Sequence, residues 1–96
     1  MKVYEMNATF YRVSGVDLND GAKIAFVWCR TEGQEDLVLV GSGHIVGTKG
    51  DLPPGIRPGQ FAVPFLLPPG CSADGIVVTD NRSSKEFLPD VTVVRC

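Results

Sequence analysis

The stretch GIRPGQFAVPFLLPPG, from Gly55 to Gly70, is the densest apolar run of the chain. Large apolar side chains occupy every second position of its middle, the spacing that places side chains on one face of a β-strand. We therefore predict a central strand around which the rest of the chain packs, with a core face made by Phe61, Val63, Phe65 and Leu67.

Prolines limit how this strand can pair. Pro64 lies inside the run and has no N–H to donate, so we expect an unpaired edge at that position or a bulge in the ladder. Pro-Pro-Gly occurs on both sides of the strand, at residues 53–55 and 68–70. Prolines so placed exclude a helix and favour a sharp turn at each end.

The other apolar segments are short, rich in β-branched residues and free of helical periodicity. An Asp-Gly pair at residues 20–21 favours a hairpin turn between the first two of them. Gly41 and Gly43 mark a kink or a bulge after the third, and the last two are candidates for pairing with each other. These predicted strands are Lys2–Val13, Ala22–Arg30, Asp36–Val40, Gly75–Thr79 and Asp90–Arg95.

Five or six strands at this spacing, without an amphipathic helix, predict an all-β fold, either a small antiparallel barrel or a sandwich. The chain of 96 residues suffices for one core, and we assign residues 1–96 to a single domain. No apolar run approaches the roughly 20 residues that cross a bilayer, and the first residues lack the apolar region of a signal peptide. We therefore expect a cytoplasmic protein.

The sequence contains few motifs that would indicate catalysis, metal binding or a cofactor. His44 is the only histidine and has no nucleophile motif around it, so we expect it to be structural or exposed. The glycines of residues 41–47 are not followed by a helix that could hold a phosphate. Cys29, Cys71 and Cys96 lack metal-ligand spacing and predict free thiols. We predict a protein that is not an enzyme and uses no cofactor and no metal.

Aromatic and basic residues are interleaved along the first two predicted strands. Aromatic rings on a sheet stack with unpaired bases, at about 1–3 kcal/mol each, while lysine and arginine contact the phosphates. Parity assigns Phe10, Phe26 and Trp28 to the core, although the sequence does not decide which of Trp28 and Tyr11 faces solvent. The candidates for binding a single strand include Tyr11, Arg12, Lys23, Trp28 and Arg30.

Two parts of the chain are similar to a known family. Pro58–Phe65, PGQFAVPF, resembles the Pro/Gly, aromatic, Val-Pro, aromatic strand of the gene V-type single-stranded-DNA-binding proteins of filamentous phages. Arg12–Val16, followed by Gly21–Lys23, is similar in position and residue type to the basic, glycine-containing hairpin that these proteins extend over DNA as a wing.

The resemblance implies an OB-fold-like antiparallel barrel with an extended N-terminal hairpin, and a homodimer formed through a second hairpin at Cys71–Lys85. It also implies that Arg12, Ser14 and Lys23 contact phosphates and that Tyr11 stacks on a base or flanks it. The chain departs from the pattern in its net charge of −2 and at the tip of the wing, which carries Asp17, Asn19 and Asp20.

We therefore expect a sequence-independent protein that coats single-stranded DNA of a phage or plasmid, without catalysis, a small-molecule substrate or membrane contact. The net acidity favours an alternative, a small β-barrel that binds another protein through the strand edge at Pro64 or through Tyr11. A third hypothesis is a small enzyme or ligand carrier that uses His44 and a cysteine.

Overall fold

The computed structural model describes residues 9–19, 21–31, 33, 35–47, 52–83 and 86–96. Within these ranges the chain is all-β and contains no helix, which confirms the fold class at this level. Short β-branched and aromatic runs, separated by glycine and proline turns, explain this preference. The strands are β1 (Thr9–Val16), β2 (Ile24–Thr31), β3 (Leu37–His44), β4 (Gln60–Leu67), β5 (Cys71–Asp80) and β6 (Thr92–Arg95).

The strands form two antiparallel sheets of three strands each. Sheet A has the order β4-β1-β6, and sheet B has the order β3-β2-β5. The inward-facing side chains of both sheets build one buried core, in which four valines from four different strands have no exposed surface: Val13, Val27, Val63 and Val78. The two sheets therefore pack face to face, and each turns an outer face toward solvent.

Strand β4 is the strand predicted within Gly55–Gly70, and its alternation is as expected. Phe61, Val63 and Phe65 are at most 3% exposed. Leu67 is half-buried and packs against the same core. The core face of this strand is thus confirmed.

The pairing of β4 differs from the prediction of a central strand. It pairs with β1 alone and forms an edge of sheet A. On its other side β4 faces β3 of the other sheet. The Pro64 carbonyl oxygen points toward β3, since it lies 3.4 Å from the position that a Cβ on Gly41 would take. Because Pro64 has no N–H to donate toward β3, the unpaired edge that the sequence predicts at this position is confirmed.

Strands β1 and β2 lie in different sheets, so the predicted extended N-terminal hairpin is wrong. β1 pairs with β4 and β6, while β2 pairs with β3 and β5. The connection does turn near Gly21, whose φ is 81°, and the Ala22 N–H donates to the Asn19 carbonyl at 3.2 Å. It is long enough to cross between the sheets, which lets β2 become the centre of its own sheet. Residues 2–8 of the predicted first strand lie outside the described residues.

The last two strands also pair in an unexpected order. β5 pairs with β2, and β6 pairs with β1, so their predicted mutual pairing is wrong. Residues 71–80 form one strand, and the hairpin that the family resemblance implies there is wrong as well. A kink or a bulge was predicted at residues 41–43, and the structure has a bulge one residue earlier: the β2–β3 register shifts between Val27 and Trp28, which leaves Val40 as the extra residue. In the part of the chain described, the ladders form two sheets and no closed barrel, so the OB-fold-like barrel remains a prediction.

Gly59, in the turn before β4, lies against the backbone of Asp17, the residue that follows β1. Its φ is 81°, and a Cβ there would lie inside van der Waals contact of the Asp17 carbonyl oxygen. Gly55 has a similar φ of 85° with open space around it. We expect Gly55→Ala to lower the free energy of unfolding by about 1–2 kcal/mol, the cost of a left-handed backbone. Gly59→Ala should lower it by about 3–5 kcal/mol, because the clash adds to that cost.

Urea denaturation of the two variants measures this difference. Equal losses in both would contradict the close approach of residue 59 to the Asp17 backbone.

Candidate nucleic-acid interface

The outer face of sheet A is built by alternate residues of its three strands. Residues directly opposite each other in an antiparallel pair point to the same side of a sheet. The register pairs Arg12 with Pro64 on one side and with Val94 on the other. This outer face consists of Phe10, Arg12, Ser14, Ala62, Pro64, Leu66, Thr92 and Val94, all exposed except the half-buried Ser14.

Among the described residues of this face, arginine is the only charged residue type. Arg12 lies at its centre, and no carboxylate occupies any of its positions. Arg57, from the turn before β4, lines an open depression of about 480 Å³ together with Arg12, Ser14 and Gln60. Two guanidinium groups and a hydroxyl thus share one concave surface, which suits the oxygens of a phosphate backbone.

The turn that carries Arg57 is held by its own hydrogen bonds. The Arg57 N–H donates to the Gln60 side-chain oxygen Oε1 at 3.0 Å, and the Gln60 N–H donates to the Arg57 carbonyl at 3.1 Å. The positive φ of Gly59 permits this tight reversal just before β4. The Arg57 backbone is therefore fixed beside the outer face of sheet A, while its exposed side chain remains available to a ligand.

Phe10 and Tyr11 lie on opposite faces of β1. Tyr11 is half-buried and stacks on Phe65, with ring centroids 6.0 Å apart, so its ring packs toward the core and its contact with a ligand stays a prediction. Phe10 is 57% exposed, so its assignment to the core is wrong. The reason is the pairing of Val13 with Val63, since both valines are fully buried and fix the inward parity of β1. Counting back in twos from Val13 is the sequence signal that would have placed both rings correctly.

Trp28 and Arg30 lie on the outer face of sheet B, on the opposite side of the molecule. Trp28 is half-buried, and its indole N–H donates to the Thr79 hydroxyl at 2.8 Å. With Phe26 and Leu39 it lines an open groove on that face. Arg30 is exposed and pairs in register with Leu37 of β3.

The structure thus divides the predicted site residues. Arg12 and Ser14 lie together on sheet A, whereas Trp28 and Arg30 lie together on sheet B. Lys23 is exposed in the connection before β2, where its backbone N–H donates to the Asn81 side chain at 2.8 Å. Sequence reasoning missed Phe10 and Arg57 as members of the sheet A surface, and for Arg57 the only signal was its place in an exposed turn.

Cys29 and His44 show no sign of an activated nucleophile. Cys29 is fully buried, as its apolar neighbours predict. Burial raises the pKa of its thiol to about 12, with a hydrogen bond to Cys71 contributing to the increase, so the thiol is protonated at neutral pH. His44 is exposed on β3, in line with the expectation that it is structural or exposed.

Comparison of the chain with protein-family models, with curated proteins and with solved structures found no match. Function must therefore be inferred from the geometry. Across the described ranges no helix has the length and hydropathy needed to cross a membrane. The same ranges contain no group of three or more His, Cys, Asp or Glu side chains placed to hold a metal ion.

Replacing each aromatic ring of β1 tests the parity of the strand. Tyr11→Ala should lower the free energy of unfolding by about 2–4 kcal/mol, because it removes packing against Phe65 and the core. Phe10→Ala should change it by less than about 0.5 kcal/mol, since the ring is mostly in solvent. Guanidinium denaturation followed by Trp28 fluorescence measures both. A larger loss for Phe10→Ala than for Tyr11→Ala would show that the rings point the other way.

Proposed function

We propose that this protein binds single-stranded nucleic acid, DNA in the first place, on the outer face of sheet A. The observation that carries the proposal is an exposed aromatic ring, Phe10, on a face whose described residues include one charged side chain, Arg12, with Arg57 at its margin. Stacking on the ring and charge-assisted hydrogen bonds to phosphates require no base identity, so binding is independent of sequence. No chemical step is involved.

The chemistry of each side chain determines whether it contacts a base or a phosphate. A base that stacks on Phe10 contributes about 1–3 kcal/mol. Arg12 and Arg57 each present a planar guanidinium that matches two phosphate oxygens, and Ser14 adds a hydroxyl beside them. Ala62 and Pro64 lie opposite Ser14 and Arg12 on this face and have small side chains that carry no charge.

The net charge of −2 does not oppose binding at this surface, because charge acts locally at physiological salt. Two of the described carboxylic acids, Asp17 and Asp80, are at most 3% exposed. Asp36 precedes β3 and Asp74 lies in β5, both belonging to sheet B rather than to sheet A. Glu86 and Asp90 are exposed and line a neighbouring depression together with Arg57, so a phosphate would approach Arg57 from the side of Arg12.

The similarity of Pro58–Phe65 to the gene V-type strand extends the proposal. It supports a cooperative coat on phage or plasmid DNA in the cytoplasm of a bacterial host, on an OB-fold-like sheet surface, with the chain acting as a homodimer. In that family the residues at the position of Cys71–Lys85 make the dimer contact. Here the corresponding element is β5 and the turn after it, so the contact would be made by a strand.

Titration of the protein with fluorescently labelled oligo-dT tests the proposal. Binding should weaken with salt, with a slope in log K against log salt of about −0.7 for each phosphate neutralised. The double variant Arg12→Ala/Arg57→Ala should reduce the magnitude of that slope by about 1.4, while Phe10→Ala should weaken binding about 5- to 150-fold at fixed salt.

Arg30→Ala is the matched control, because it removes the same charge from the outer face of sheet B. Its affinity and salt slope should equal those of the unchanged protein. Absence of binding at low salt, or a loss for Arg30→Ala equal to that of Arg12→Ala, would refute the assignment of this surface.

A second function is favoured by one specific observation, the apolar content of the same face. Phe10, Leu66 and Val94 are 57%, 38% and 38% exposed, and exposed apolar side chains grouped on one surface mark protein-docking sites. In that case Leu66→Lys would abolish capture of a defined protein partner, and oligo-dT would not bind. For a nucleic-acid surface, Leu66→Lys should instead strengthen oligo-dT binding by adding a positive charge.

A further inference from the structure

Two buried carboxyl groups meet where the end of sheet A approaches the end of sheet B. Asp17 follows β1 directly, and Asp80 ends β5. Their residues are 3% and 2% exposed, and the two side chains are within hydrogen-bonding reach of each other. Carboxylates are almost never fully buried without a partner. This pair therefore needs a physical explanation that the nucleic-acid surface does not supply.

The hydrogen bonds of Asp80 show that it is the ionised member. Its Oδ1 accepts the backbone N–H groups of Arg82 and Ser83 at 2.7 and 2.8 Å, and its Oδ2 accepts the Asn19 side-chain amide at 2.8 Å. Burial alone would raise the pKa of Asp80. The hydrogen bonds from Asp17, Asn19 and the two backbone groups outweigh it and lower that pKa to about 2.

Asp17 has the opposite surroundings. Its Oδ1 accepts the Asn19 N–H at 2.9 Å, whereas its Oδ2 is buried and receives no N–H or O–H donor from the described residues. Burial raises the pKa of Asp17 to about 6, and the hydrogen bond and negative charge of Asp80 contribute to the increase. The contact between the two carboxyls is attractive only when one proton lies between them.

The surroundings of the two carboxyl groups favour a proton between them over a metal cation. Asp80 already accepts three N–H donors, and Asn19 directs its amide N–H rather than its oxygen toward the pair. The charged groups on neighbouring elements are Arg57 from the turn before β4, Arg82 from the turn after β5, and Glu86 and Asp90 across the depression that Asp17 lines. None of them forms an ion pair with either carboxyl among the described residues.

We propose that Asp17 and Asp80 form a proton-dependent latch. With one shared proton, the latch ties the β1–β2 connection to the end of β5; with both groups ionised, the carboxylates repel and the connection is released. The latch also reaches the Arg57 turn, because the Asp17 N–H donates to the Gly59 carbonyl at 2.8 Å and residue 59 packs on the Asp17 backbone. It does not depend on the ligand proposed for sheet A.

The direction of the pH effect follows from proton binding. Between pH 4 and about 6 the folded state holds the Asp17 proton and the unfolded state does not, so stability falls as pH rises through this window. Asp80 contributes stability that is lost only as pH falls below its unfolded value of 3.8 toward about 2. If Asp17 has an ordinary pKa in the released connection, the ratio of released to tied forms rises by up to ~100-fold across this window, tenfold for each pH unit.

Thermal unfolding at pH 5 and pH 7.5 tests the latch with one variant and one control. Asp17→Asn keeps the acceptor for the Asn19 N–H and places a permanent N–H donor toward Asp80, so it mimics the protonated latch. The unchanged protein should lose melting temperature from pH 5 to pH 7.5, and Asp17→Asn should not. Asp74→Asn, an exposed carboxylate of β5, should behave like the unchanged protein.

Two NMR measurements on the unchanged protein keep the test independent of any variant. The Asp17 side-chain carbon should titrate with a midpoint near pH 6, and exchange of the Asp17 amide, corrected for its intrinsic rate, should accelerate between pH 5 and pH 7.5. A midpoint near 3.8, or the same loss of melting temperature in Asp17→Asn as in the unchanged protein, would overturn the proposal. Oligo-dT binding plays no part in these readouts, so failure of the proposed function leaves them interpretable.

Discussion

The pairing of Val13 with Val63 is the constraint from which the rest of the molecule follows. Both valines are fully buried, and they face each other across the β1–β4 ladder. Because side chains alternate along a strand, this single pair decides which side every other residue of β1 and β4 takes. It turns Tyr11 and Phe65 inward, and it turns Phe10 and Arg12 outward onto one surface. Core packing therefore determines which residues form the candidate binding face.

The local properties of the chain were predictable from sequence because they depend on neighbouring residues. The alternation of Phe61, Val63 and Phe65 and the unpaired edge at Pro64 follow from the sequence, and the bulge lies one residue before the predicted glycines. Strand pairing was not, because it depends on contacts between residues far apart in the chain. The Asp-Gly turn at residues 20–21 suggests a hairpin as readily as a crossing between sheets.

The candidate site was predictable only in part for the same reason. Arg12 lies within the predicted first strand, Lys2–Val13, and Ser14 lies just beyond its predicted end. The assignment of Phe10 to the core reversed the parity of this strand, because the buried Val13 sets its inward face. Trp28 and Arg30 are on β2, and only knowledge that β2 belongs to the other sheet separates them from Arg12. No pattern of a single chain predicts that Asp17 and Asp80 meet, since the two lie far apart in sequence.

Pro64 has a further consequence for how the two sheets hold together. Along the line where β4 faces β3, the described strands meet through side chains and glycines, with Val63 against Gly43 and Phe65 against Gly41, and without a ladder. Backbone hydrogen bonds join the strands within each sheet. At one end of the seam the Gly59 N–H donates to the Val46 carbonyl and the Val46 N–H donates to the Gln60 carbonyl, both at 2.9 Å, whereas beside Gly41 and Gly43 the seam depends on apolar contact. Since hydrophobic cohesion weakens on cooling, the seam is the part of the molecule where low temperature would first loosen the fold.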